Sequence, residues 1–292
     1  MKIDIEKLKE NKSIQELLQF SIINIDKPSG PTSFSVSQFV KNSLNLNKTS
    51  HFGTLDPQVT GVLPVALNRA CRLNEYLMHR NKTYVGIMRL HKNIDDKELE
   101  NVIKKFIGKI SQLPPVRSRV KRAVREREVI GFKILEIDGK DVLFETEVQA
   151  GTYIRKLCDD IGKEIGGAHM LELRRTQAGL FLESNKKYPS VNLYDFEKAV
   201  AKYKEGNEQE LRKILIPGEI VASVLPVIQI RKDIVKKALS GSPIFSTFIE
   251  RKTPEEIKAG DKIAIFSEDK FIGCYNAILL GDLVAKPEFV FN

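Results

Sequence analysis

A single aspartate lies in a short loop whose residue types restrict the backbone. Asp56 belongs to the segment His51-Phe52-Gly53-Thr54-Leu55-Asp56-Pro57, and Pro57 leaves few conformations open to the residues before it. Since no second acidic residue lies nearby in the sequence, one carboxylate here suits nucleophilic or general-base catalysis better than a glycosidase mechanism with paired acids. The loop also allows a structural alternative, in which the aspartate forms an Asx-turn or caps a helix.

Two further side chains are candidates to act with this carboxylate. Arg155 ends the segment Gly151-Thr152-Tyr153-Ile154-Arg155 at the predicted start of a helix, and a guanidinium there can hold a carboxylate with two parallel hydrogen bonds. A salt bridge to a surface acid is the simpler interpretation of this arginine. Tyr84 falls in the middle of a predicted strand, where the residues alone indicate a half-buried sheet aromatic.

A short basic segment is a candidate for binding polyanions. Residues 117–127 hold six basic residues and one acidic residue, and they follow Leu113-Pro114-Pro115. This pattern predicts a loop that protrudes from the sheet and binds a phosphate backbone, with solvated surface charge as the alternative. The basic residues are Arg117, Arg119, Lys121, Arg122, Arg125 and Arg127.

Composition and charge limit the class of protein. The chain has 292 residues, of which 42% are hydrophobic and 29% charged, so collagen-like and wholly disordered chains are excluded. Lys+Arg number 47 and Asp+Glu 38, and the net charge of +9 favours a polyanionic partner, nucleic acid before membrane. More than half of this positive surplus falls within residues 117–127.

Cysteine usage predicts a reducing compartment. Cys71, Cys158 and Cys274 lie far apart and form no Cys-x-x-Cys pair, which argues against a disulfide framework and against a structural zinc site. No stretch approaches the ~18 consecutive apolar residues that a membrane helix needs, and the amino terminus does not resemble a signal peptide. We therefore expect a cytoplasmic protein without membrane contact.

The order of predicted elements indicates an α+β protein. The strongest hairpin signal is Asp138-Gly139 between two β-rich runs. Strands are predicted at 21–25, 82–90, 129–137, 142–148 and 169–176. Helices are predicted after Thr32 or Ser33, after Asp95 and Asp96 with an apolar face from Leu99 to Ile110, over 152–165, and from near Ser190.

We predict three units along the chain. Residues 1–19 form a charged N-terminal extension that packs on the C-terminal module, residues 20–220 form the catalytic domain, and residues 221–292 form a small β-barrel-like module. The large domain is expected to contain a mixed, mainly antiparallel sheet.

Five motifs occur in order along residues 20–182. They are Asp26-Lys27-Pro28-x-Gly30-x-Thr32-Ser33, His51-x-Gly53-Thr54-Leu55-Asp56-Pro57-x-x-x-Gly61-Val62-Leu63-Pro64, Lys82-x-Tyr84, Gly151-Thr152-Tyr153-Ile154-Arg155 and Gly167-Ala168-His169-Met170-x-Glu172-Leu173-Arg174-Arg175-Thr176. In this order they resemble the motifs of the TruB/dyskerin family of RNA pseudouridine synthases. The basic segment resembles the dyskerin branch, and the lack of long Lys/Glu-rich tails favours an archaeal member. The residues from about Val221 are similar to a PUA domain, a small RNA-binding β-barrel.

The resemblance implies an isomerase that converts uridine into pseudouridine in RNA and needs no cofactor and no metal. Asp56 is then the catalytic carboxylate, which either attacks the anomeric carbon of the sugar or abstracts a sugar proton. Arg155 pairs with Asp56, keeps it ionised and positions it. Tyr84 stacks on the target base and helps to remove the proton from carbon 5.

Further residues are implied to bind the RNA. His51 lies beside the flipped base, since a uridine cannot be reached inside a stacked helix. Tyr153 and Leu173 line the base pocket. Lys27 holds phosphates together with four residues of the basic segment, Arg117, Arg119, Lys121 and Arg122.

The implied partners are RNAs and small proteins. The substrate is the TψC-loop uridine of tRNA, or uridines of rRNA selected by an H/ACA guide RNA within a ribonucleoprotein that contains small partner proteins. The alternative is a catalytically idle RNA-binding scaffold that keeps the fold. The joint presence of Asp56, Tyr84 and Arg155 favours the enzyme, because a scaffold has no reason to hold all three.

Overall fold

A computed structural model of the protein describes residues 3–113, 123–250 and 257–292. Within these ranges the strands form an eleven-stranded sheet and a five-stranded sheet. The strands of the larger sheet are β1 (Ser21–Lys27), β2 (Thr49–His51), β3 (Thr60–Leu67), β4 (Lys82–Leu90), β5 (Gly108–Gln112), β6 (Arg125–Asp138), β7 (Asp141–Val148), β8 (Ala168–Ala178), β9 (Phe181–Leu182), β10 (Val191–Asn192) and β11 (Leu215–Pro217). The strands of the smaller sheet are β12 (Val227–Gln229), β13 (Ile244–Phe245), β14 (Lys262–Ser267), β15 (Lys270–Leu280) and β16 (Leu283–Val290).

The larger sheet is mixed and mainly antiparallel, which confirms the predicted fold class. Its strand order is β10-β1-β3-β8-β4-β7-β6-β5, while β11 pairs with β1, β2 with β3, and β9 with β8. Only two of the pairings described in this sheet, β1 with β10 and β3 with β8, are parallel. The smaller sheet has the order β12-β14-β15-β16-β13 and forms the C-terminal β module expected from the resemblance to a PUA domain.

Helices cover the larger sheet and the junction between the sheets. The helices within the described ranges are α1 (Ile5–Asn11), α2 (Ile14–Gln19), α3 (Ser33–Ser43), α4 (Asn74–Leu77), α5 (Asp96–Lys104), α6 (Ile154–Glu164), α7 (Leu193–Lys204), α8 (Gln209–Ile214) and α9 (Val235–Leu239). The hydroxyl of Thr32 accepts from the amide of Ser35 and caps α3. None of the helices in the described part of the chain is long and apolar enough to cross a membrane.

The predicted length of one helix was wrong. The apolar spacing predicts a helical face that continues from Leu99 to Ile110, but α5 ends at Lys104 and Ile110 lies in β5. Gly108 has a φ of +101°, a left-handed conformation that a right-handed helix cannot include. The apolar residues beyond the helix end belong to a strand, so the spacing alone could not locate the boundary.

Burial alternates along β4 at the centre of the large sheet. Lys82, Tyr84, Gly86, Met88 and Leu90 are buried, and the residues between them are more exposed. This period of two is expected of a strand with one face in the core, and it confirms the strand predicted at 82–90. Strand β4 pairs with both β7 and β8, so Tyr84 occupies a central position in the sheet.

The N-terminal residues pack where the two sheets meet. Ile3, Ile5 and Leu8 belong to a buried cluster that also contains Phe266 and Phe271 of the smaller sheet. In the same cluster the ring of Phe20 stacks on Phe271 with 5.3 Å between centroids. The N-terminal residues therefore contact the C-terminal module, as does the residue immediately before β1.

Candidate active site

The loop between β2 and β3 carries Asp56, and a buried hydroxyl fixes its backbone. Ser33, the first residue of α3, is fully buried. Its hydroxyl donates to the carbonyl oxygen of Leu55 at 2.9 Å and accepts from the Leu55 amide at 2.8 Å. The side chain of Leu55 is buried in the core of the large domain. Because both backbone groups of Leu55 are held, the neighbouring Asp56 leaves the core in a defined direction.

Two buried cations hold the loop on either side of Asp56. The ammonium group of Lys27 donates to the carbonyl oxygens of Pro28 and Pro57, each at 2.8 Å. The guanidinium of Arg175 donates from Nη2 to the carbonyl oxygen of Gly53 at 2.9 Å and from Nε to β3. Residues before and after the aspartate are thus fixed by side chains from distant parts of the chain, so the loop is rigid before any substrate binds.

Asp56 itself contacts Arg155, as the resemblance implies. Arg155 Nη2 donates to Asp56 Oδ2. The side chains of the two residues are 54% and 53% exposed, so a ligand can reach both. An ion pair this exposed contributes little to folding stability, which leaves orientation of the carboxylate as its main physical effect.

Core packing brings these two residues together. Arg155 lies in the first turn of α6 next to Ile154, and Asp56 follows Leu55. Ile154 and Leu55 are both buried in one cluster with Tyr84 and Leu173. The side chains beside the ion pair therefore share one core with two of the predicted site residues, Tyr84 and Leu173.

Close approach of strands β4 and β8 places Leu173 opposite a glycine. Gly86 pairs with Leu173 across the two strands. A Cβ atom at position 86 would lie 2.8 Å from Leu173 Cδ1 and 2.8 Å from Phe144 Cζ. The leucine side chain can occupy this position only because residue 86 has none. Tyr84 and Leu173 remain 8% and 9% exposed, so a narrow part of each reaches the surface.

His51 stands at the other end of the same loop. Its Nε2 lies 3.1 Å from the hydroxyl of Thr54, and the residue is half-buried at the end of β2. Burial, with a smaller effect from the nearby charge of Arg175, lowers the pKa of His51 below its ordinary value of 6.5. The imidazole is therefore mainly neutral at pH 7 and can act as a hydrogen-bonding group beside a base.

The other predicted site residues are Tyr153, Lys27 and four residues of the basic segment. Tyr153 is half-buried and directly precedes α6. Lys27 is fully buried, and burial lowers the pKa of its ammonium group. Its described partners are two carbonyl oxygens, so the phosphate contact stays a prediction. Arg117, Arg119, Lys121 and Arg122 lie outside the residues that the structure describes.

The sequence did not predict two of the side chains that hold this loop. Ser33 is expected from the sequence only as a helix cap, and Arg175 only as part of a motif with no role of its own. Arg175 carried a usable signal, because it lies two positions after Leu173 and therefore on the same inward face of a strand. A charged residue on such a face needs buried partners.

Comparison with known families defines the class of protein. A model described as "TruB family pseudouridylate synthase (N terminal domain)" matches residues 41–154. A second model, described as "tRNA pseudouridylate synthase B C-terminal domain", matches residues 155–222. The two matches include the loop of Asp56 and the helix of Arg155. The protein is a pseudouridine synthase.

Individual relatives agree with this class. A probable tRNA pseudouridine synthase B of Methanopyrus kandleri is 47% identical over 260 residues, which cover 88% of this chain and 75% of the relative. One from Thermococcus onnurineus is 43% identical over 283 residues, covering 96% and 84%. A solved Cbf5-Nop10-Gar1 complex contains a chain with a TM-score of 0.88 and 39% identity, covering 97% of this chain and 88% of that one. The chain belongs to the TruB family of pseudouridine synthases, as its five motifs predicted.

Proposed function

We propose that this enzyme isomerises uridines in tRNA and in RNAs selected by an H/ACA guide, with Asp56 as the catalytic carboxylate. Asp56 lies on an exposed part of a loop that is held by hydrogen bonds, and its contact with Arg155 of α6 carries the assignment. The similar sequences are named probable tRNA pseudouridine synthase B. A solved H/ACA ribonucleoprotein bound to a substrate RNA contains a chain with a TM-score of 0.88 and 37% identity to this one. These names support both kinds of substrate.

The proposed reaction moves one bond and conserves the atoms of the substrate. The bond between N1 of the base and the anomeric carbon breaks, the base turns, and carbon 5 bonds to the same anomeric carbon. Carbon 5 loses its proton and N1 gains one. Asp56 either attacks that carbon or abstracts a sugar proton. In both routes Arg155 orients the carboxylate before the substrate arrives, so no reorganisation is needed during the reaction.

The side chains near Asp56 can bind the base and assist in its deprotonation. We assign stacking on the target base, and help in removing the proton from carbon 5, to Tyr84. Leu173 and Tyr153 border the base, and the neutral imidazole of His51 offers a hydrogen-bonding group next to it. A flipped base is needed because the reacting atoms are inaccessible in a stacked helix.

The proposed partners are the substrate RNA, a guide RNA and small proteins of an H/ACA ribonucleoprotein. Solved chains similar to this one occur in a Cbf5-Nop10-Gar1 complex and in a Nop10-Cbf5 complex. The chain covers 88% and 90% of those two chains, so its likeness extends over most of their length. We further propose a cytoplasmic location, because Cys71, Cys158 and Cys274 are all free thiols, as expected in a reducing compartment.

One experiment separates the enzyme from an idle scaffold. Purified protein is incubated with unmodified tRNA, with and without an H/ACA guide and its partner proteins, and pseudouridine is then mapped. The variants are Asp56→Asn and, as a matched control, Asp141→Asn, which alters a partly exposed aspartate paired with Arg89. We expect Asp56→Asn to lower the rate by roughly 10³-fold or more while RNA affinity is unchanged. Asp141→Asn should behave as wild type.

Each proposed role predicts a different pattern of product formation. Product formed on tRNA alone supports a stand-alone role, and product formed only with guide and partner proteins supports a guided role. A wild-type protein that binds RNA but forms no product under any of these conditions is the scaffold. A fully active Asp56→Asn variant would show that the catalytic group is a different residue.

A further inference from the structure

A buried amide joins the β5–β6 hairpin to the start of helix α6. Gln112, the last residue of β5, is 2% exposed. Its Oε1 accepts from the backbone amide of Tyr153 at 2.9 Å, and its Nε2 donates to the backbone carbonyl of Tyr153 at 3.2 Å. One side chain therefore holds both backbone groups of the residue that directly precedes α6, two positions before Arg155.

The start of helix α6 has this external contact but no side-chain cap of its own. Tyr153 occupies the N-cap position but makes no side-chain capping bond to the helix. A buried backbone amide without a partner costs about 1–3 kcal/mol. Gln112 supplies the acceptor for the Tyr153 amide from a different part of the sheet, 41 residues away. The helix start is therefore tied to the hairpin in addition to the helix's own bond from the Leu157 amide to the Tyr153 carbonyl oxygen.

The same hairpin contacts the preceding loop at two further points. The amide of Gln149 donates to the carbonyl oxygen of Glu128 in β6 at 2.9 Å. The guanidinium of Arg127, also in β6, lies over Gly151, where a Cβ atom would be 3.2 Å from Arg127 Nε and Nη2. Gly151 has a φ of +85°, so a side chain here is disfavoured by both the backbone and the arginine. Residues 149–153 are thus attached to the hairpin along their length.

Placement of this backbone matters for the reacting pair. Arg155 has a long side chain that is half exposed, and an exposed ion pair does not by itself hold such a side chain in one geometry. Its reach to Asp56 depends on where the first turn of α6 begins. A displacement of about 1 Å at a catalytic group can cost roughly 10²-fold in rate.

We propose that Gln112 is a positioning residue for the isomerisation: through Tyr153 it sets the start of α6 so that Arg155 meets Asp56. The proposal rests on the proposed catalytic role of that pair. The alternative is that the amide only satisfies hydrogen bonds in a buried place. A purely structural role would alter stability without a selective effect on the chemical step.

The test combines three variants with three measurements. Gln112→Leu removes both hydrogen bonds at similar volume, and Gln112→Glu keeps the acceptor for the Tyr153 amide. The matched control is Gln229→Leu, which removes a 7% exposed amide that bonds Glu268 in the smaller sheet. Each protein is measured for single-turnover rate at saturating RNA, RNA dissociation constant, and hydrogen exchange of the Tyr153 amide.

Gln112→Leu should exchange the Tyr153 amide faster and react about 10- to 100-fold more slowly, with an unchanged dissociation constant. Gln112→Glu should recover part of the rate, and Gln229→Leu should react at the wild-type rate. The proposal is overturned if Gln112→Leu reacts like wild type, or if both leucine variants slow the reaction equally. An inactive wild-type protein would contradict the proposed function instead. In that case unchanged exchange of the Tyr153 amide in Gln112→Leu would overturn the contact itself.

Discussion

Lys82 and Arg175 place two buried positive charges beneath the loop that carries Asp56. They are 5% and 1% exposed, and both lie against Gly53. The ammonium of Lys82 donates to the carbonyl oxygens of Met78 and Arg80, while Arg175 donates to the loop and to β3. Backbone carbonyls therefore solvate two cations next to each other. The loop gains a positive environment on its inner side, which favours an anion on its outer side.

Stability should depend on the protonation of Lys82. Burial, with a smaller effect from Arg175, lowers the pKa of Lys82 from 10.5 to about 8. Between these values the unfolded chain binds a proton that the folded chain has lost, so this group makes the protein more stable as pH rises from about 8 to 10.5. The gain is at most about 3 kcal/mol. Denaturant unfolding of wild type and Lys82→Met across this range measures it.

The difference between the two unfolding free energies is the informative quantity, because all other titrating groups are shared. The free energy of unfolding of wild type should increase relative to that of Lys82→Met as the pH increases. Parallel pH curves for the two proteins would mean that Lys82 keeps an ordinary pKa in the folded state.

Loss of the Ser33 hydroxyl should slow the reaction more than it weakens RNA binding. Ser33→Ala leaves both backbone groups of Leu55 without their partner, which costs about 1–3 kcal/mol and frees the segment next to Asp56. We expect a roughly tenfold lower single-turnover rate. Ser37→Ala is the control, since Ser37 is also buried in α3 but bonds Thr49 outside the loop. Equal rates for the two variants would exclude a positioning role for Ser33.

A methyl group at position 86 should disturb the pocket as well as the core. Gly86→Ala places a Cβ atom 2.8 Å from Leu173 Cδ1 and 2.9 Å from the carbonyl oxygen of Glu172. Overpacking of this kind costs typically 1–3 kcal/mol and displaces the leucine. Thermal unfolding and substrate affinity should both worsen. Gly131→Ala in β6 is the control, because nothing lies within 4 Å of its added Cβ atom; matched losses in both variants would contradict the prediction.

Neutralising part of the basic segment should weaken RNA binding in a salt-dependent way. Replacing Arg119, Lys121 and Arg122 by glutamine is expected to lower affinity and to flatten the slope of log affinity against log salt, because fewer counterions are released. Binding titrations at several salt concentrations measure this slope. The control replaces Lys97, Lys104 and Lys105, which are exposed in or beside α5, and makes the same change in net charge. An unchanged slope in the first variant would show that the segment does not contact phosphates.

Local signals in the sequence predicted much of the fold. Asp138-Gly139 indicated a hairpin, and Gly139 indeed has a φ of +57° between β6 and β7. The strand of Tyr84 was also predicted, at 82–90, and the resemblance carried by the motifs predicted that Asp56 and Arg155 act together. The predicted end of α5 was wrong because the apolar spacing continues past Gly108 into a strand.

The sequence by itself determined the family, the class of reaction and the residues proposed for catalysis, since motifs and turn preferences are properties of neighbouring residues. Only the tertiary structure decided how those residues are held. Ser33 reaches Leu55 across 22 residues, Gln112 reaches Tyr153 across 41, and Arg175 reaches Gly53 across 122. Such contacts depend on strand register and on the packing of separate elements. Such a side chain can bond a distant backbone group only after the sheet has formed and brought the two chain segments together.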